Sequence, residues 1–378
     1  MQDMHGYFRG HLTDAQVIDL IQGSETMTVD CGLEIIDKNL NYIDDISTYL
    51  SPPSSTVSRG AFNELHGSCV LNITKPDHDW PNMIVRPYFQ IKVPTISLTR
   101  WNMGAYYLAS PRREIQTSPG VFEADGFDIM LPLSDLVGQT YSIPAGNSVL
   151  TTVEGILTAR GFTQWTTDWS GDNTLPSAKV YPIDDQTKWL TIINDLLNSI
   201  GYQGIWSDWD GRLHIHPYTT PINRASEWTY DTTGTSSIIY PDRVMETDFF
   251  DTPNRWVFVR QNNTSDAAPV EGNGIYTFNN IATGATSQAA RGRVITKVMQ
   301  IDAADQPSLI NAAQITIDAD MAFSTKVELS TSPNPMHWHF DRLTVIDPVI
   351  GFNVPALSTD WTLNLDGTPM THKWTLLS

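Results

Sequence analysis

A chain of 378 residues exceeds what a single core ordinarily fills, so two to four domains are expected. Apolar residues make up 40% and charged residues 17%, and 12 Trp and 13 Tyr accompany 24 Gly and 23 Pro, a composition that excludes a disordered chain and fits a turn-rich β protein. The formal charge of −19, from 42 acidic against 23 basic residues, excludes nucleic-acid binding through clustered phosphate contacts.

Residues 1–26 mix Gly, His and polar residues around one helical run at 15–21, and read as an arm that packs on a neighbour or on its own barrel. From residue 27, MTVDCGLEIIDKNLNYIDDIST alternates as a strand does, with Val29, Leu33, Ile35 and Ile36 toward a core. LSPPSSTVSRGAFN reads as a loop that breaks this pattern. Strands are then predicted at 66–74, 85–93, 100–110 and 120–132, separated by turns such as KPDHDWPN and SPRREIQTSPG, so that 27–145 forms one β domain, a barrel or a sandwich. No basic segment followed by an apolar run opens the sequence and no stretch of about 18 apolar residues occurs, so neither a signal peptide nor a membrane span is expected. Cys31 and Cys69 fit no disulfide framework or metal spacing and read as small buried apolar residues.

Residues 146–227 are expected to form an α+β accessory domain. A helix at 149–160 stops at Gly161, and 163–179 reads as a polar loop excursion. Trp189, Ile192, Ile193, Leu196, Leu197 and Ile200 then recur at helical steps over 188–200, with Gly201 as the stop. The period changes to that of a hairpin over 202–218, with Asp210-Gly211 at its turn. Strands resume at 236–240, 244–250 and in PNRWVFVRQ at 253–261, whose Trp256, Phe258 and Arg260 share one face. Residues 261–293 read as a long irregular connection, 307–321 as a helix, and 326–330, 340–345 and 361–377 as strands, the last carrying a turn at Asp366-Gly367. A second strand-rich block is therefore placed at 228–270 and 326–378, with 271–325 as an inserted loop and helix region.

Several motifs have residue types that can carry chemistry. Asp208-Trp209-Asp210-Gly211 resembles the start of a calcium loop, yet Leu213 and Ile215 stand where ligands should continue, so a hairpin turn is the expected reading. His214 with His216, and His337 with His339, are spaced to share a strand face and would bind zinc only with a third ligand. Trp165, Trp169, Trp206 and Trp209, with Asp168, Asp172, Asp208 and Asp210 nearby, leave open a glycan platform or a glycosidase pair beside the reading as core or interface aromatics. No nucleophile elbow, phosphate-binding Gly loop, zinc-protease helix or cofactor motif stands out; no cofactor is expected, and EGNGIY reads as a turn.

GSCVLNITKPDHDWPNMIVRPYF, RWNMGAYYLASPRRE, FEADGFDIMLPL, WLTIINDLLNSIGYQGIWSDWDGRLHIHPY and DTPNRWVFVRQ together resemble the minor tail proteins of siphophages that infect actinobacteria and, more broadly, phage baseplate hub proteins. The resemblance implies a mainly β fold with α+β parts: two β-barrel domains of tail-tube type, the first at 27–145 and the second at 228–270 and 326–378, plus smaller α+β accessory domains. It implies a virion structural protein made in the host cytoplasm, assembled as a homotrimer, with no enzymatic activity. Tail tube or distal tail protein rings would lie above it, a central fibre or spike below, and the tape measure protein would be a further partner. DNA would pass through without specific binding, which an acidic lumen would favour by repelling phosphates. Trp80, Arg86, Tyr88, Trp189, Trp256 and Arg260 are expected to anchor interfaces. The competing functions are a carbohydrate-binding surface module using the exposed tryptophans and, third, a polysaccharide-cleaving enzyme.

Overall fold

In the computed structural model the described residues are 1–2, 13–22, 28–75, 79–80, 83–93, 96–109, 120–170, 173–175, 177–234, 237–247, 250–261, 268–303, 305–322, 325–349 and 351–377. Most of the turn at 110–120, and Asp172, lie outside them. Among the described residues the fold is mainly β, with helices α1 (Asp14–Ile21), α2 (Val149–Ala159), α3 (Trp189–Ser199), α4 (Gln288–Arg291) and α5 (Gln306–Ala322).

The helices at 149–160 and 188–200 form where the apolar steps place them. α3 buries Leu190, Ile192, Ile193, Leu196 and Leu197 on one face. It ends because Gly201, at φ +73°, reverses the chain: Gly201 N–H donates to Asn198 O at 3.0 Å and Tyr202 N–H to Leu197 O at 2.9 Å. α2 ends in the same way, with Gly161 N–H on Thr158 O and Phe162 N–H on Leu157 O, both at 3.0 Å. α5 turns Leu309, Ala312, Ala313 and Ile317 inward.

Among the described residues a 14-stranded sheet organises the molecule. Its main path runs Ile239–Thr247, Thr325–Thr331, Met370–Leu376, Phe352–Asn364, Leu50–Gly60, Gly67–Ile73, Phe122–Asp128, Tyr106–Leu108, Ile84–Val93, Thr28–Ile36 and Tyr42–Asp45. Every pairing along this path is antiparallel. The two strand blocks seen in sequence are therefore joined edge to edge, where Leu50–Gly60 pairs with Phe352–Asn364 in the register Gly60↔Asp360 to Thr56↔Asn364. One core spans this joint: Leu33, Val57, Leu71, Phe89, Trp101 and Tyr106 from the first block pack with Tyr230, Trp338, Trp361, Leu363 and Trp374 from the second. A second core holds α2, α3 and the hairpin after it. A third lies between α5 and a four-stranded sheet that includes Arg255–Arg260, Gly274–Asn279 and Thr296–Ile301.

Four expectations are corrected. The SPPSS segment is not a loop but part of the long strand Leu50–Gly60. Its prolines lack the N–H a regular ladder needs, and they are accommodated by a register shift between Ser51 and Thr56, with Ser54 at φ +63°. Residues 163–179 contribute Trp165–Thr167, parallel to Leu213–Ile215, and Lys179–Tyr181, antiparallel to Tyr141–Ile143. Strands of three residues show no readable period. Residues 261–293 include Gly274–Asn279, paired with Arg255–Arg260, so 255–260 belongs to the separate sheet and not with the strands of the second block. That partner strand is half-exposed along most of its length, which is why its Gly, Thr and Asn content looked irregular. Lastly, His337 and His339 lie in a turn-rich segment between strands Thr325–Thr331 and Arg342–Asp347, and not on a strand.

The helical run at 15–21 forms α1, capped by Thr13 and Gln16, and Val17, Leu20 and Ile21 enter the main core. Gln2 Nε2 donates to Asn102 O at 2.8 Å. Cys31 and Cys69 are free; Cys69 is buried and burial pushes the Cys31 thiol up to about 12.

Candidate functional site at the hairpin seam

The site that gathers most of the sequence-flagged residues is where the hairpin Trp206–Ser207 and Leu213–Ile215 plugs into the joint between the two strand blocks. Its turn is built by Asp208, whose Oδ1 accepts from the backbone N–H of Asp210 at 3.0 Å and of Arg212 at 2.8 Å. Gly211 sits at φ +94°, and a Cβ added there would meet Ala105 Cβ at 2.6 Å. DWDG is thus a hairpin turn, spent on its own backbone. Gly211→Ala is expected to cost about 2–3 kcal/mol through left-handed strain and overpacking; an unchanged urea midpoint would show that the turn is not held against Ala105.

From this turn the hairpin bonds to both blocks. Asp210 accepts from Asn102 Nδ2 at 2.6 Å, and Gly104 N–H donates to Trp209 O at 2.9 Å. Arg59 and Asp128, both fully buried, form an ion pair at 2.9 Å. Ser207 Oγ donates to Asp128, and Ser207 O accepts from Arg59 Nη2 and from Trp338 Nε1, both at 3.2 Å. The Arg59 guanidinium also lies 3.8 Å from the centre of the Trp338 ring. Two residues of the first block, one of the second and one of the hairpin therefore share a single polar knot in an apolar setting.

Histidines and aromatics surround this knot. The Trp206 ring stacks on His214 at 4.5 Å and meets His216 and His339 edge-on, while His339 stacks on His66 at 4.6 Å. Trp206 Nε1–H donates to His216 Nε2 at 2.9 Å, which requires that nitrogen to be unprotonated. His214 Nε2 bonds Asp208 Oδ2 at 2.8 Å. His337 lies between Tyr230 Oη and Asp341 Oδ2. His372 Nε2 meets Thr331 Oγ1 at 2.9 Å. Burial holds His66, His337, His339 and His372 below the ordinary imidazole range, His337 to about 3. Neutral buried rings packed on one another are packing elements, even though His339 Nδ1 and His372 Nδ1 find no hydrogen-bond partner among the described residues. Among the described residues no group of three or more His, Cys, Asp or Glu is placed to hold a metal ion.

Of the four tryptophans that could form a glycan platform, Trp206 and Trp209 border one small cleft of about 190 Å³, and neither Trp165 nor Trp169 lines it. Trp206 is clamped between histidines, Trp209 packs edge-on against Trp338 at 5.9 Å, Trp165 is half-buried and Trp169 is exposed. Of the residues expected at interfaces, Trp80 is buried and donates to Lys75 O at 2.9 Å. Arg86 joins Arg100 on Glu34, at 2.9 and 2.7 Å, and Arg100 stacks on Tyr88, which donates to Asp45. Trp256 is buried with its Nε1 on Asp320 at 2.8 Å. Trp189, against Tyr141, and Arg260 are half-buried. Sequence reasoning missed Arg59, Asp128 and Ser207, whose partnership spans 148 positions and leaves no local signal.

The two ends of the sheet path are the other surface feature. Ile239–Thr247 exposes Tyr240, Val244 and Met245, and Tyr42–Asp45 exposes Tyr42 and Ile43; among the described residues each of these strands pairs on one side alone.

No protein-family model matches the sequence, and no curated protein matches it. Solved structures do. The chain is similar to the tail protein from Neisseria meningitidis MC58, with TM-score 0.66 and 11% identity over 92% of this chain and 96% of that one. It is similar to the 43 kDa tail protein of prophage MuSo2 from Shewanella oneidensis, with TM-score 0.61 and 10% identity over 92% and 98%. A chain of the Francisella PdpA–VgrG complex matches with TM-score 0.53 and 10% identity over 96% of this chain and 55% of that one. These likenesses establish a shared fold.

Proposed function

We propose that this chain is a structural subunit of a phage-type tail tip, a baseplate hub that closes the tail tube, joins it to a central fibre or spike and gates passage of DNA. The observation that carries this reading is a likeness that runs through more than nine-tenths of both chains in two tail proteins. A spike-side partner is supported by the match to a chain of a complex containing VgrG. On this reading the strand blocks 27–145 and 228–378, the latter without the separate sheet that holds 255–260, serve as tube-type halves. The exposed end strands, each with unpaired backbone along one side among the described residues, meet other copies in a homotrimer. Trp189 and Arg260, which retain surface, are proposed to contact neighbours, whereas Trp80, Arg86, Tyr88 and Trp256 shape the subunit from within.

At micromolar concentration the purified chain is expected to sediment as a three-copy particle. Val244→Asp combined with Ile43→Asp, which places charge on both end strands, should leave single chains. A single-chain species of the unmodified protein at every concentration would sink the trimeric hub.

A further inference from the structure

A cleft of about 450 Å³ opens between α5, the segment after the hairpin and the turn that follows Leu50–Gly60. Phe62, Tyr218, Pro221, Ile315, Phe340 and Leu357 give it mainly apolar walls, with Phe62 and Phe340 edge to face at 5.7 Å. Asp318 of α5 lies in its lining and also borders a second cleft of about 190 Å³, reached past Pro221 and Leu377. The Asp318 carboxylate accepts from Tyr218 Oη and from Gln314 Nε2, both neutral donors. Other acids in the neighbourhood are matched by cations: Glu64 at the rim by Lys188 at 2.7 Å, and Asp320, two residues along α5, by Lys297 at 2.7 Å. Among the described residues neither cleft is lined by a Lys or Arg.

A carboxylate in an apolar recess without a cation is the unusual feature, because two neutral donors offset its desolvation only in part. We propose that this cleft receives an arginine or lysine side chain, together with an apolar neighbour, from a segment of a partner protein. The long aliphatic stem of such a residue suits the apolar walls while its head reaches Asp318. The volume lies in the range of sites that enclose a ligand of a few side chains. A chain with net charge −19 also favours basic partners over a second copy of itself. Burial already pushes the Asp318 carboxyl above its usual range, and an incoming cation would reverse that. The cleft's chemistry does not depend on assembly into a tail.

The test is selection of a displayed random heptapeptide library on the intact protein, with counter-selection on Asp318→Asn. That variant changes the overall charge by one unit, keeps one acceptor oxygen for Tyr218 and offers its amide N–H to Gln314, whose own amide can turn to accept it, so it removes peptides that bind the acidic surface at large. Enrichment of Arg or Lys beside an apolar residue is expected. In a selected peptide, replacing the arginine by citrulline should weaken binding at least tenfold on the unmodified protein and leave it unchanged on Asp318→Asn. Ala319→Trp, whose ring fills the cleft, should abolish binding with the thermal midpoint retained. Selection without basic enrichment, or discrimination against citrulline that persists in Asp318→Asn, overturns the proposal. If 4-phenylbutylamine displaces the peptide with equal affinity, the site is one for small amines and the partner-segment assignment falls.

Discussion

Arg59→Met is expected to destabilise the chain by about 3–5 kcal/mol, because it strands the fully buried Asp128 carboxylate without its cation. The remaining donors on Asp128, Ser207 Oγ and the backbone N–H of Met130 at 3.1 Å, are neutral and cannot replace a guanidinium. Asp128→Leu should cost a similar amount from the other side, leaving Arg59 with the carbonyl of Ser207 and the Trp338 face. The double variant Arg59→Met/Asp128→Leu should lose clearly less than the sum of the two, since no buried charge is left unpaired. Lys373→Met supplies the contrast: its pair with Glu328, at 2.8 Å, is more than half exposed on both sides, and its removal should cost about 1 kcal/mol or less. Urea denaturation of the four variants measures all of these. A loss for Arg59→Met as small as that for Lys373→Met would mean that the knot does not hold the hairpin to the two blocks.

Acidification should produce the second large effect. His66, His337, His339 and His372 are held neutral by burial in the folded chain but titrate near the ordinary value, about 6.5, once unfolded. Below that pH the unfolded chain binds more protons than the folded one, so stability is fully present above pH 6.5 and falls as the pH drops toward the folded-state values. Each histidine contributes a slope of up to about 1.4 kcal/mol per pH unit, and four together about 5–6 kcal/mol per unit. Asp210, Glu227 and Asp318, whose carboxyls are raised chiefly by burial, act in the opposite sense at the lower end, so the cleanest window is pH 6.5 to about 5. Urea midpoints across that window, at constant m-value, give the total slope. His372→Gln should reduce it by about 1.4 kcal/mol per unit whatever it does to absolute stability. A total slope no steeper than one histidine supplies would rule out the neutral, packed cluster.

Both effects arise where the hairpin meets the sheet joint, and the sequence announced that region unevenly. The hairpin was legible because its signals are local. Apolar steps over 188–200, a Gly at the one position where φ must be positive, and Asp210-Gly211 at the turn are chemistry that neighbouring residues impose on each other. The histidines were visible as pairs, but their role was not: His66 and His339 are 273 positions apart, and only packing brings their rings to 4.6 Å. Trp80, Arg86, Tyr88 and Trp256 stood out by size and charge, and it took the fold to show them turned inward.

The helices, the turn chemistry and the strand-rich character with excess acid were written in the chain itself, since propensity, period and charge act over a few residues or over the whole composition. The joint was not. Leu50–Gly60 contains two prolines and four serines, and read alone it is a loop. It becomes a strand because Gly67–Ile73 on one side and Phe352–Asn364 on the other supply its hydrogen bonds, a shifted register absorbs the prolines, and Val57 is buried in the common core. Pairing energy from partners some 300 residues away outweighs local preference there, and no local reading can contain it.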